Sequence, residues 1–331
     1  MKKYLPVLAI LMLLSYSCTS GVTKNEIFKN DKIDPVTRKT LSDLDKKVYN
    51  YLCDNNYEAL SKLFSDSLLD RINTDFGQKF MPQIQKVIKG KTYSVFDEFY
   101  IREVKPADTV NIASGENDNA YKIKFRSEEN ETYLSMLVCG DSVNEVMLTF
   151  IYCNIKGTWK VMNIMGEDYS LAGKTAIAQY NYGKALEQQG DLIDAVNILG
   201  LSNHCLSPGG KIFKYSKAQE ISVFSDSLYK KANAKYPLPY TLNEVSTTPK
   251  IVNIHCETYD HVFIPMIMYQ SSIYVADTVR LKKENEEIQE KIGSIFPGIL
   301  KTNKTILYRA YNDLPDGKNS PRYYGYIQRI N

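Results

Sequence analysis

The 331-residue chain has few of the residues that usually mark a reactive centre. It contains three histidines and one tryptophan. All three histidines sit near cysteines, as His204-Cys205, His255-Cys256 and His261. Zinc sites legible in sequence need close, regular ligand pairs. Adjacent residues on a strand face opposite ways, so His255 and Cys256 do not readily share one ion. No metal and no cofactor is expected. There is no Gly-x-Ser-x-Gly nucleophile turn. Ser207-Pro208-Gly209-Gly210-Lys211 has neither the spacing nor the preceding strand of a phosphate loop. No long run of one charge sign occurs. The formal net charge is +3, and it falls to about +1 without Lys2 and Lys3. A field that weak argues against nucleic acid as a partner. No apolar run reaches the roughly 20 residues that span a bilayer.

The N-terminus still carries an apolar stretch. Lys2 and Lys3 precede the ten residues Leu5 to Leu14, and Ser15-Tyr16-Ser17-Cys18 follows. That order is expected of a signal peptide. Ser17-Cys18 resembles the bacterial lipobox in its looser Bacteroidetes form, with Ser15 and Tyr16 departing from the stricter pattern. The resemblance implies lipidation at Cys18 and an envelope protein anchored most simply in the outer membrane, facing the periplasm. Residues 1–17 are then the signal peptide and 18–38 a flexible tether. Five cysteines remain (Cys53, Cys139, Cys153, Cys205, Cys256), an odd and widely spaced set that excludes a dense disulfide scaffold. Most are expected to serve as buried small apolar groups.

Residues 39–168 read as helices followed by strands. Leu44, Val48, Tyr51 and Leu52 form one helical stripe, with Asp43 as the expected cap. Asn55 or Asn56 is expected to cap a second helix carrying Leu60, Leu63 and Phe64. Pro82 falls early in a third, short helix. From Tyr93 the period shifts to two: Val95 to Val104, Tyr121 to Phe125, Tyr133 to Cys139, Val146 to Ile155 and Trp159 to Met165. Asp108 to Asp118 reads as a polar connection. Helices on a sheet define an α+β class. Asn56-Tyr57-Glu58-Ala59-Leu60, Phe64-Ser65-Asp66 and the closing Gly157-Thr158-Trp159-Lys160-Val161 hairpin resemble the nuclear-transport-factor-two-like, or cystatin-like, superfamily over about a third of the chain. The resemblance implies a cone of helices packed on a curved antiparallel sheet. Some enzymes on that cone use an Asp base with Tyr or Asp donors inside the cavity. Here Tyr93, Tyr121, Tyr133 and Tyr152 look buried, whereas Asp97-Glu98 and Glu145 are expected to be exposed strand acids.

Residues 169–238 return to helical spacing. Gly183, Leu186, Gly190, Ala195, Leu199 and Pro208 resemble one tetratricopeptide unit, a TPR-like pair turning at Gly190-Asp191. Tyr215 to Ala234 reads as a further helix. Tyr236-Pro237-Leu238-Pro239 marks a boundary. Residues 249–331 read as a small C-terminal α+β domain: strands Ile251–Glu257 and Val262–Tyr269, a helix capped by Asp277, and a hairpin of Thr305–Tyr311 with Tyr323–Ile330 across Pro315-Asp316-Gly317. Pro265 predicts an edge position for its strand. Tyr308, Tyr311, Tyr323, Tyr324 and Tyr326 are candidate ligand-binding residues, as a platform for a sugar or peptide. Cross-strand stabilisation is the competing account. The expected function is binding or scaffolding towards a protein, peptide or small apolar ligand, with acid/base catalysis in the cone as the alternative.

Overall fold

The computed structural model describes residues 25–72, 75–103, 105, 109–141, 143–259, 262–316, 318–319 and 321–330. Cys18, Val104, His261 and Gly317 lie outside them. The fold is α+β, built around a strongly curled antiparallel half-barrel sheet. Its strands are β1 (Glu26–Lys29), β2 (Tyr93–Arg102), β5 (Glu131–Gly140), β6 (Glu145–Ile155), β7 (Thr158–Leu171) and β8 (Lys174–Thr175), in that spatial order. The intervening β3 (Thr109–Ala113) and β4 (Tyr121–Arg126) join β9 (Phe213–Tyr215) in a separate three-stranded sheet.

Several expectations are corrected here. The tether reading fails from residue 26 onward: Glu26–Lys29 pairs antiparallel with Arg102–Phe99, Phe28 stacks on Tyr100, and a helix already begins at Pro35. The first helix, α1 (Pro35–Cys53), starts earlier than expected. Asp34, not Asp43, caps it, accepting from Thr37 N at 2.8 Å with Pro35 in the first turn. β4 has the expected alternation but belongs to the smaller sheet, and its partner β3 occupies the stretch expected to be a connection.

Helices α1, α2 (Tyr57–Ser61), α3 (Asp66–Arg71) and α4 (Met81–Ile88) cover one face of the half-barrel. Asn56 caps α2 through Ala59 N at 3.0 Å, and Ser65 caps α3. The segment between them is pinned to β7: Val161 N donates to Leu63 O at 2.8 Å and Ser65 N to Val161 O at 2.9 Å. β7 bulges between Val161 and Asn163, and Arg71 donates to the freed Met162 carbonyl at 2.9 Å. Lys156 and Gly157 both have positive φ, 51° and 85°, the two-residue turn that matches strand twist.

The other face of the half-barrel packs on the smaller sheet and on α5 (Ala176–Gln189), α6 (Leu192–His204) and α7 (Ala218–Lys235). α5 and α6 form the expected hairpin. A Cβ on Gly183 would stand 3.0 Å from Leu199 Cγ, so any larger residue would have to push the Leu199 side chain back by a few tenths of an ångström. Tyr215 is in β9, and α7 begins after it.

The C-terminal segment adds the sheet β10 (Tyr240–Thr241), β11 (Lys250–Tyr259), β12 (Val262–Gln270), β13 (Thr305–Tyr311), β14 (Tyr323–Arg329). β12 and β13 are parallel, connected through α8 (Thr278–Ile295) and the short α9 (Ile299–Thr302). Asp277 caps α8 as expected. β12 is interior, contrary to the edge expectation. Pro265 is accommodated because pairing with β13 begins only at Met266. One continuous apolar cluster runs from Met136 and Ile151 through Leu186 and Leu199 to Ile267 and Tyr308, crossing both expected domain boundaries.

Candidate functional sites

The most concentrated chemistry lies between α1 and the half-barrel. Leu41, Asp45, Val48 and Leu52 are all buried on α1, at spacings of four, three and four. Asp45 therefore occupies an apolar position and points at the sheet. Tyr133 and Tyr152 are direct partners on β5 and β6, and Ser135 lies two residues along the same face. Tyr152 Oη and Ser135 Oγ each donate to Asp45 at 2.7 Å. Burial pushes the Asp45 carboxyl up from 3.8 to about 7; the two hydroxyls pull the other way, and the nearby Glu98 charge adds to the rise. Burial, and then Asp45 itself, hold the Tyr152 hydroxyl far above its ordinary range.

Glu98 reaches the same layer from β2. Its Oε2 accepts from Tyr133 Oη at 2.5 Å and its Oε1 from Arg38 Nε. Asp97, the preceding residue, faces the opposite side and accepts from Tyr121 Oη, from Asn30 Nδ2 at 2.8 Å and from Lys29 Nζ at 2.9 Å. Both were expected to be exposed, and both are buried, at 8% and 2% exposure. The reason is that helices cover one face of the half-barrel and the smaller sheet the other, so that Asp97 is enclosed and Glu98 borders solvent only through the cleft at Arg38. Asn30 joins the two: its Oδ1 also accepts from Glu98 N at 2.9 Å. The rest of the layer is filled by Leu41, Leu60, Phe64, Met81, Leu137 and Phe150, each nearly fully buried. Towards solvent the Arg38–Glu98 pair opens into a cleft of about 420 Å³ lined also by Ile33, Pro35, Ser42 and Val95.

A second concavity lies where α6, α7 and β11 meet. Ile193, Val196, Tyr229, Ala232, Tyr236, Leu238, Ile254 and Phe296 line a mainly apolar groove of about 70 Å³. Tyr229 is 64% exposed at its rim. β10 pairs with β11 at only two positions, Tyr240 with Ile251 and Thr241 with Lys250. Pro239 comes next and has no N–H to extend the ladder. Among the described residues, β11 from Asn253 onward is paired only with β12.

The five candidate tyrosines do not form one platform. Tyr308 opposes Tyr326, and Tyr324 opposes Ala310, all on the face packed against the main core. Tyr308 is fully buried and donates to Gln328 Oε1 at 2.7 Å. Tyr311 and Tyr323 oppose each other on the other face, ring centroids 5.6 Å apart, with the Arg309 guanidinium over Tyr323. Only Tyr323 is markedly exposed. His255 lies near Glu257 while Cys256 turns into the core, opposite faces as expected. Among the described residues no group of three or more metal-ligating side chains is assembled, and the five cysteines Cys53, Cys139, Cys153, Cys205 and Cys256 are free thiols.

Sequence reasoning missed Asp45 and Arg38. The available signal was an aspartate at an apolar stripe position, with Arg38 seven residues before it on the same face. No family model, no curated protein and no solved structure matches the chain.

Proposed function

We propose that the chain is a lipid-anchored envelope protein, acylated at Cys18, whose role is to bind a protein or peptide partner. The observation that carries this is the apolar groove beside the unpaired length of β11. A free strand edge offers main-chain hydrogen bonds to an extended segment, and an adjacent pocket takes one apolar side chain from it. Helices α1–α4 on the curled sheet fit a cystatin-like cone, and the α5–α6 pair closed at Gly183 fits a TPR-like hairpin. Both support a scaffold reading.

Acid/base chemistry is the second reading, favoured by Asp45, whose raised carboxyl faces two hydroxyls. Asp45 is 2% exposed, and Leu, Phe and Met side chains fill the space around it, which supports a structural role for that layer.

The test is twofold. Cys18→Ser is expected to abolish palmitate incorporation and release the protein from the membrane fraction. Pull-down of the detergent-solubilised protein is expected to retain a stoichiometric partner that Ile193→Arg loses. Retention by both forms counts against the groove.

A further inference from the structure

We propose that the cleft between α1 and β2 binds a small monocarboxylate with an apolar body, received by the outer edge of the Arg38 guanidinium. This site is separate from the groove at β11 and stands without it.

Arg38 is held in place by a relay across three elements. Tyr133 Oη on β5 donates to Glu98 Oε2 on β2, and Glu98 Oε1 accepts from Arg38 Nε on α1. That relay occupies one nitrogen of the guanidinium. Among the described residues, no hydrogen bond or ion pair occupies its two terminal nitrogens. Arg38 lines the cleft, and its side chain is 42% exposed. A guanidinium fixed through Nε presents the parallel N–H pair of its other edge, which matches the two oxygens of a carboxylate. Because Glu98 sets the orientation beforehand, little rotamer entropy remains to be lost when the ligand arrives.

The walls and the charges select the ligand class. Ile33, Pro35 and Val95 supply apolar surface, Val95 from β2 across the cleft from α1, and Ser42 lies one helical turn beyond Arg38 along α1. The cleft volume of about 420 Å³ is that of a small-molecule site. The charged groups lining it are Asp31, Arg38, Lys39 and Glu98; Lys39 is engaged by Asp43 at 3.0 Å and Glu98 takes Arg38 Nε. The terminal N–H pair of Arg38 is therefore the open cationic donor of the lining, enough for the two oxygens of one carboxylate. A phosphate dianion would face Glu98 and Asp31 with no further unpaired cation to meet it.

Calorimetric titration of the full chain in detergent, with benzoate, benzamide and phenyl phosphate as probes, tests this. Benzoate is expected to bind one-to-one, with the neutral amide and the dianion each weaker by roughly tenfold or more. Arg38→Gln removes the receiving edge and is expected to weaken benzoate by at least roughly tenfold. That variant also leaves Glu98 without its cation. Val95→Trp and Ser42→Trp therefore block the cleft from opposite walls, at exposed positions that leave the Arg38–Glu98 pair intact. Each is expected to abolish binding while the near-ultraviolet circular dichroism stays native. Equal affinity for benzoate and benzamide overturns the proposal. So does unchanged binding in both tryptophan variants, or no benzoate binding up to about 10 mM.

Discussion

Replacing Asp45 with asparagine should change how stability depends on pH rather than simply lower it. The Asp45 carboxyl is pushed from 3.8 to about 7 in the folded protein, first by burial. The folded state thus holds this proton more tightly than the unfolded chain does. The stabilisation from the protonated form is complete below pH 3.8 and is lost progressively as pH rises to about 7. At about 1.4 kcal/mol per unit, the shift amounts to about 4 kcal/mol as a ceiling. The substituted amide does not titrate. Its oxygen accepts from one hydroxyl, and its N–H donates to the other, so Tyr152 and Ser135 both keep partners. The stability of Asp45→Asn relative to wild type should therefore climb between pH 4 and pH 7 by a few kcal/mol, then level off. Taking the difference between the two proteins cancels the other titrating groups. Urea unfolding is readily followed through Trp159, the single tryptophan, which packs in the same layer. A difference that stays flat from pH 4 to pH 8 would show that Asp45 is not protonated by its surroundings and would refute the reasoning.

Two further outcomes follow from packing. Gly183→Val should destabilise the protein by about 1–3 kcal/mol in urea titrations, because the added carbons meet Leu199 across the α5–α6 contact. Tyr308→Phe should cost about 1 kcal/mol by leaving Gln328 without its buried donor, whereas Tyr323→Phe, at an exposed position, should stay within about 0.5 kcal/mol.

Much of the fold was legible wherever one local rule was strong. Asn56 and Asp277 cap the helices they were expected to cap, and Lys156-Gly157 turns the hairpin. Gly183 and Ala195 announced a close helix pair. Alternation in Tyr121–Phe125 revealed a strand but not its sheet, since period two says which side is buried and nothing about which neighbour buries it. The burial of Asp97 and Glu98 was hidden for a related reason. Both faces of the half-barrel are covered, a fact written not in β2 but in the near-continuous apolar runs of β5 and β6, which have no solvent side. Asp45 was hidden because a lone acid in a helix reads as solvated. Only its place between Leu41 and Val48 gives it away. The tyrosine cluster misled because neighbouring tyrosines on β14 necessarily divide between two faces.

The partner-binding reading is tested most directly by a photo-activated cross-linking residue placed at Tyr229, on the rim of the groove, in intact cells. The same residue at Tyr274, an equally exposed position outside the groove lining, serves as control. The account predicts a discrete adduct from position 229 that is absent from position 274 and disappears when Ile193→Arg is added. Adducts of equal yield from both positions, or an adduct at 229 that survives Ile193→Arg, would contradict it.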